Sequence, residues 1–210
     1  MSPTLRPSKI VCVGRNYAAH AAELGNDVPA EPILFLKPPS ALIGPGEAIV
    51  LPPGAGRVDY EGEVGVLMGR RASRVREMEA LDFVKGIVPV NDVTARELQR
   101  MDSQWTRAKG FDTFCPVGDP VPPEKVDLER LTVVTRLNGE ERQRGRADQM
   151  VFSIPFLISY ISHIMTLEPG DLVATGTPEG IGPLAEGDLV EVELPGLSSL
   201  VNPVLEGKES

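Results

Sequence analysis

Three acids occupy alternate positions of one apolar stretch: Asp59, Glu61 and Glu63, within Val58 to Met68. Alternate side chains of a strand share a face, so the three carboxylates would project together. Tyr60, Val64, Val66 and Met68 fall on the opposite face, an apolar set fit for a core. Neighbouring carboxylates repel one another once they are desolvated. A hard divalent cation removes that repulsion, and oxygen-only ligation suits Mg²⁺, Mn²⁺ or Ca²⁺ better than zinc. A solvated acidic sheet edge would leave the same pattern. A fourth acid, Asp92, follows the apolar run Gly86 to Asn91, where a buried strand would deliver its last side chain to a site. The other reading of Asp92 is a cap on the helix that begins near Thr94.

His20 and Glu23 stand three residues apart in an Ala-rich stretch, hence on one helix face. A carboxylate raises the basicity of a histidine and fixes its tautomer, which makes the pair a candidate general base; a surface pair would have the same spacing. Arg96 and Gln99 lie one helical turn apart, and Lys109 sits in Ala108-Lys109-Gly110-Phe111-Asp112. These side chains suit an anionic substrate, arginine through its fork and lysine as a point charge, though ordinary surface residues would look the same. The small-residue loop Thr175-Gly176-Thr177-Pro178-Glu179-Gly180 offers N–H and hydroxyl groups to a carboxylate or an oxyanion. It lacks the Gly-Lys-Ser/Thr ending of a phosphate-binding loop. His163 is assigned a structural role near a helix C-terminus. The arginines at 70, 71, 74 and 76 read as solvated surface.

The elements that must position these groups are short. Strands are expected at Lys9 to Val13, Ile33 to Leu36, Val58 to Met68 and Gly86 to Val90. Arg15 to Leu24 reads as a helix stopped by Gly25 and Asn26, and Glu77 to Val84 as another. Thr94 to Lys109 has helical spacing in its first half. Asn138-Gly139 between Thr132 to Leu137 and Glu140 to Gln143 is a strong hairpin signal. Ile154 to Met165 is an apolar helix with Pro155 near its start. Pro169-Gly170-Asp171-Leu172-Val173 and Glu186-Gly187-Asp188-Leu189-Val190 are similar turns into strands.

Composition agrees with that turn-rich plan. Of 210 residues, glycine (21) and proline (20) make up about a fifth, while aromatics are only 5%. Hydrophobic residues, at 41%, suffice for a real core. The formal charge of −9 argues against a general nucleic-acid binder. Two cysteines, Cys12 and Cys115, exclude a disulfide scaffold and a Cys-rich zinc site, which points to a reduced, cytoplasmic compartment. The start of the chain lacks a signal-peptide apolar stretch, and Val151 to Leu167 is too interrupted for a membrane span. One domain over residues 1–210 is expected.

Together these pieces resemble the fumarylacetoacetate hydrolase family, in its short acylpyruvase and oxaloacetate-decarboxylase-like branch. The resemblance rests on Val13-Gly14-Arg15-Asn16-Tyr17 with His20 and Glu23, on Phe35-Leu36-Lys37-Pro38, and on Asp59-Tyr60-Glu61-Gly62-Glu63. It continues through Asn91-Asp92-Val93-Thr94-Ala95-Arg96 with Gln99, Lys109 to Cys115-Pro116, Phe152-Ser153-Ile154-Pro155, and Thr175 to Gly182. It implies a predominantly β fold with a few helices (α+β), a mixed β-sandwich roll of the family's C-terminal-domain type, usually a homodimer. It implies Glu61, Glu63 and Asp92 as ligands of one Mg²⁺ or Mn²⁺, with Asp59 outside that set. It further implies that Arg96, Gln99, Lys109 and Thr177 surround a small anionic 2-oxo acid. His20 and Glu23 would activate water from a lid segment near residues 15–30, with Lys109 also in the catalytic set.

The implied reaction is C–C cleavage in a 2-oxo (2,4-dioxo) acid through a metal-bound enolate, as in an acylpyruvate hydrolase. The same site would serve an oxaloacetate decarboxylase or a 2-hydroxyhepta-2,4-diene-1,7-dioate isomerase or hydratase. A non-catalytic metal-binding scaffold is the alternative of another class; His20, Glu23 and Lys109 count against it. A bound divalent ion would bring the charge from −9 to about −7. Departures from the family pattern are Gly62, smaller than the usual residue between the two glutamates and expected to loosen the strand, a loosely matching tail after Asn202, and the absence of the extra domain or tandem half of longer members.

Overall fold

A strand without polar alternation must be covered on both faces, and the run Gly62–Met68 is buried at every position. The computed structural model describes residues 6–208. In chain order the first elements are β1 (Ile10–Gly14), α1 (Ala18–Glu23), β2 (Ile33–Lys37), β3 (Leu42–Ile43) and β4 (Ile49–Leu51). Next come β5 (Val58–Tyr60), β6 (Gly62–Met68), β7 (Val84–Asn91), β8 (Thr94–Ala95), α2 (Arg96–Met101), α3 (Thr106–Lys109) and β9 (Cys115–Pro116). The last are β10 (Thr132–Leu137), β11 (Glu140–Arg146), α4 (Ile154–Ile164), β12 (Leu172–Ala174), β13 (Gly182–Pro183), β14 (Leu189–Leu194) and β15 (Ser198–Glu206).

Two five-stranded sheets dominate, in the orders β2-β1-β12-β6-β7 and β11-β10-β14-β15-β4. Smaller sheets join β13-β5-β8 and β3-β9. The first sheet is mixed: β12 runs parallel to β1 and antiparallel to β6. One of its faces, with Val64, Val66, Met68 and Ile87, packs on Val133, Val192, Leu194 and Leu200 of the second sheet and on Ile154, Ile158 and Ile161 of α4. Its other face carries Ile10, Cys12, Val88, Val90 and Leu172 against Cys115 and Val117. This is the mostly β fold with few helices that the sequence pattern suggested, in the sandwich arrangement that the resemblance implied.

Local chemistry explains the well-anticipated pieces. Asn138 and Gly139 both have positive φ (54° and 83°), the combination a two-residue hairpin turn requires. Helix α4 starts with Pro155 in its first turn, and the Ser153 side chain accepts from the Phe156 N–H at 3.3 Å. His163 Nδ1 donates to the Ser159 carbonyl, 2.9 Å away, on an exposed part of that helix. Glu77–Phe83 is helical but of the tighter 3₁₀ kind, and the polar stretch 94–109 divides into α2 and α3. The four arginines near residue 70 are exposed; Arg71 and Arg76 pair with Glu168 and Glu79. Both cysteines are free and buried. Among the described residues no helix is long and apolar enough to cross a membrane.

One expectation fails where it matters. Val58 to Met68 is not one strand: β5 belongs to the three-stranded sheet and β6 to the first large sheet, with the change at Glu61. The break is possible because distant side chains satisfy the freed backbone. The Glu61 N–H donates to Asn91 Oδ1 at 2.9 Å, and the Gly62 N–H donates to Gln143 Oε1 at 2.9 Å. Tyr60 therefore packs in a different core cluster from Val64, Val66 and Met68. The helix expected from Arg15 starts only at Ala18, because Arg15 is left-handed (φ 57°).

Candidate active site

The strand break places acids where two sheets meet. Glu61 sits in the gap, Glu63 is the second residue of β6, and Asp92 follows the end of β7 beside them. One oxygen from each carboxylate lies within 4.8 Å of the others, and all three residues are buried. Asp59 stands apart: its carboxylate accepts from Arg57 Nε at 2.7 Å and from Arg96 Nε at 2.8 Å. Asp92 does not cap α2, whose preceding residue, Ala95, has no side-chain cap bond. Its oxygens face two lysines instead, Lys37 at 2.5 Å and Lys109 at 2.5 Å.

Three buried cations thus face three buried acids. Lys109 Nζ bridges Glu61 (2.7 Å) and Asp92, and also lies 5.0 Å from the centre of the Phe35 ring. Arg96 donates to Glu61 Oε1 at 2.6 Å and to Gln99 Oε1 at 2.8 Å, besides Asp59. Lys37 adds the Val93 carbonyl at 3.1 Å. Glu63 has a weaker partner, the Gly176 N–H at 2.8 Å. Gly176 has φ 107°, and a Cβ there would come 2.7 Å from Asn16 Cβ, so the loop can present this N–H only with glycine.

Ionisation follows from these partners. Burial alone would raise the Glu61 carboxyl, but Lys109 and Arg96 reverse the effect and hold it well below the usual carboxylate range. Burial lowers Lys109, yet Asp92 and Glu61 keep it above an ordinary lysine. Glu63 goes the other way: burial, then the charges of Asp92 and Glu61, push it well above the usual range. Three converging carboxylate donors fit a hard divalent cation, and the set offers no sulfur or imidazole ligand. Burial pushes the Cys115 thiol up to about 12, which keeps it out of this chemistry.

The acids form the floor of a cavity of about 410 Å³ that also touches His20, Glu23, Gln99, Thr177, Phe35 and Trp105. His20 is buried, and its Nδ1 lies 3.1 Å from Glu23 Oε2. The other Glu23 oxygen accepts from the Gly180 N–H at 3.0 Å, which ties α1 to the 175–180 loop. Thr177 lines the cavity, but its hydroxyl donates to the Gly62 carbonyl (2.9 Å) and accepts from Gln143 Nε2 (2.8 Å). All nine residues singled out in the sequence for the site therefore converge: His20, Glu23, Glu61, Glu63, Asp92, Arg96, Gln99, Lys109 and Thr177.

Sequence reasoning missed the supports. Lys37, Asn91 and Gln143 hold Asp92, Glu61 and Thr177 respectively. Only Lys37 left a signal, a lysine closing the apolar run Ile33 to Leu36. The expectation that Gly62 loosens the strand is also corrected. A Cβ there would fall 1.9 Å from Thr135 Oγ1 and 3.3 Å from Val192 Cγ1, so the residue is small because the second sheet packs against it.

Comparison with known proteins agrees with this geometry. The profile of the fumarylacetoacetate (FAA) hydrolase C-terminal family matches residues 9–205. A mitochondrial oxaloacetate tautomerase FAHD1 from Pongo abelii is 46% identical over 196 residues, 91% of this chain and 89% of that protein. The crystal structure of a 5-carboxymethyl-2-hydroxymuconate delta-isomerase from Mycobacterium smegmatis superposes with a TM-score of 0.91 at 42% identity, covering 100% of this chain and 83% of that one. A fumarylpyruvate hydrolase from Pseudomonas aeruginosa, solved with Mn²⁺ and pyruvate, gives 0.90 at 32% identity, covering 98% and 92%. The chain belongs to the fumarylacetoacetate hydrolase family, whose members include hydrolases, isomerases and tautomerases.

Proposed function

We propose that this chain is a divalent-metal-dependent hydrolase that cleaves a C–C bond in a small 2-oxo (2,4-dioxo) acid of the acylpyruvate kind. One observation carries the reading: three buried carboxylates converge at the floor of a cavity that is also lined by a His–carboxylate pair. Glu61, Glu63 and Asp92 would hold Mg²⁺ or Mn²⁺, which when bound supplies a Lewis acid for the 2-oxo and carboxylate oxygens of the substrate. Glu23 occupies His20 Nδ1, which leaves Nε2 to take a proton from a water that adds to the distal carbonyl. As the C–C bond breaks, its electron pair passes toward the 2-oxo oxygen, where Lys109 and Arg96 donate to the gathering negative charge. Gln99 keeps its amide N–H groups for the substrate, since only its oxygen is taken by Arg96. Residues 15–30, which carry the dyad, act as the lid, and the reading includes the homodimer that the resemblance implies.

A second reading has its own support. The 46% identical relative is an oxaloacetate tautomerase, and proton exchange or decarboxylation of oxaloacetate needs the same floor without an activated water. A panel of acylpyruvates and oxaloacetate, assayed with Mg²⁺, Mn²⁺ or chelator, separates these. Turnover that survives chelation would sink the metal assignment. His20→Ala is expected to slow acylpyruvate hydrolysis by about 10²–10⁴-fold and oxaloacetate conversion far less. Equal losses would remove the dyad from water activation.

A further inference from the structure

Glu63 is the acid of the floor with the least support. Among the described residues its carboxylate accepts one hydrogen bond, from the Gly176 N–H at 2.8 Å, whereas Glu61 and Asp92 each face two cations. That donor lies in the loop after β12, at a residue with φ 107°, and glycine adopts either sign of φ without steric cost. Rotation of the Thr175–Gly176 peptide about its two flanking bonds would turn the N–H away and offer Glu63 a carbonyl instead. One end of the segment is anchored on β6: the Thr175 N–H and hydroxyl both donate to the Val64 carbonyl, at 3.1 Å and 2.8 Å. The plane of the peptide is held from its other side, by Asn16.

Asn16 is fully buried and does not line the cavity. Its Nδ2 donates to the Thr175 carbonyl at 2.7 Å and to the Phe152 carbonyl at 3.0 Å, and its Oδ1 accepts from the Phe152 N–H at 2.8 Å. Two carbonyls on the nitrogen side and an N–H on the oxygen side leave one workable orientation of the amide. In a trans peptide the C=O and N–H point to opposite sides, so a Thr175 carbonyl fixed on Asn16 aims the Gly176 N–H at Glu63. Donation to that carbonyl also polarises the peptide and strengthens the bond its N–H makes. The packing is tight: a Cβ at position 176 would fall 2.7 Å from Asn16 Cβ. We infer that Asn16 is a positioning residue for the acidic floor, acting on Glu63 through the Thr175–Gly176 peptide and tying that peptide to the Phe152 backbone just before α4. The inference rests on the reading of Glu63 as a metal ligand and adds to it a residue outside the cavity.

Asn202 supplies the control, because it makes the same kind of clamp elsewhere: it is buried on β15, and its Nδ2 donates to the carbonyls of Gly44 (2.9 Å) and Glu47 (2.8 Å). Asn16→Ser and Asn202→Ser both remove such a clamp from the full chain, and only the first should reach the floor. Calorimetric titration with Mn²⁺ is expected to show affinity at least about tenfold weaker in Asn16→Ser and within about twofold of wild type in Asn202→Ser. A second readout needs no metal: amide exchange at Gly176, followed by NMR, should be at least about tenfold faster in Asn16→Ser than in Asn202→Ser. Equal losses of Mn²⁺ affinity in the two variants, or equal Gly176 exchange, would overturn the proposal. If Asn16→Ser does not fold, the wild type decides: saturating Mg²⁺ should shift the Asn16 side-chain amide resonance and leave that of Asn202 in place, and an unmoved Asn16 resonance would overturn the proposal. Absence of any Mn²⁺ binding by the wild type would instead overturn the metal reading of the floor, with Gly176 exchange then deciding the clamp.

Discussion

Ion pairs of the same length occur in two regions of this protein with opposite consequences. Lys109 lies 2.7 Å from Glu61, and Arg144 lies 2.7 Å from Glu141. The first pair is almost wholly out of solvent, with side chains 3% and 6% exposed; the second, on β11, is 52% and 40% exposed. Arg142–Glu140 and Arg146–Asp148 share that exposed setting. In water such pairs are screened and exchange one set of partners for another, so they contribute little. In the site each charge has lost its water, and only its partner offsets the loss. Distance alone therefore says nothing of an ion pair's importance; burial decides it. The buried set is a poor device for stability, and the metal-dependent chemistry proposed above gives it a different purpose.

The comparison can be broken or sharpened in order of expected effect. Asp92→Ala removes one of the three carboxylates proposed to hold the metal, unpairs Lys37 and leaves Lys109 with Glu61 alone. It is expected to weaken Mn²⁺ binding by more than about 100-fold and to lower stability by about 3–5 kcal/mol. Calorimetric titration and denaturant unfolding check both, and a fully stable, metal-binding variant would refute the argument from burial. Lys37→Met keeps the volume and removes one charge that holds Asp92. Mn²⁺ affinity should fall by about 10–100-fold, and an unchanged affinity would reduce Lys37 to a packing residue.

Asp171 tests the intermediate case away from the site. Burial would raise its carboxyl, but Lys9, the Glu168 N–H and Ser8 hold it below the ordinary value. A depressed value means the stabilisation is complete above the unfolded pKa of about 3.9 and is lost as pH falls through the folded one. Asp171→Asn should therefore cost about 1–3 kcal/mol at pH 7, with the gap to wild type closing below about pH 4. A constant gap across pH would show that shape, not charge, matters there. The smallest effect belongs to Arg144→Ala, whose thermal midpoint should match the wild type; a clear drop would mean that the exposed ladder on β11 does more than screened pairs can.

How much was legible depends on how local each contact is. The His20–Glu23 bond joins residues one helical turn apart, and the Asn138-Gly139 turn needs only its own two dihedrals. Both could be read directly. Glu61, Glu63 and Asp92 were legible as acids embedded in apolar runs, since such residues need a reason to be there. The break between β5 and β6 was not, because the groups that permit it, Asn91 and Gln143, lie 30 and 81 residues away. Lys37, 55 residues from Asp92, was hidden for the same reason.

What the sequence determined by itself was the inventory: alternating acids, a lone histidine–glutamate pair, a turn-rich β plan and too little positive charge for nucleic acid. The family resemblance already set Asp59 apart from Glu61, Glu63 and Asp92, and the tertiary structure supplied the physical reason. The fold sent Asp59 to Arg57 and Arg96 and gathered Glu61, Glu63 and Asp92 within 4.8 Å. The physical reason is that a side chain's charge state and reach depend on the dielectric and partners around it. Those are supplied by residues distant in sequence, which meet only when the two sheets close.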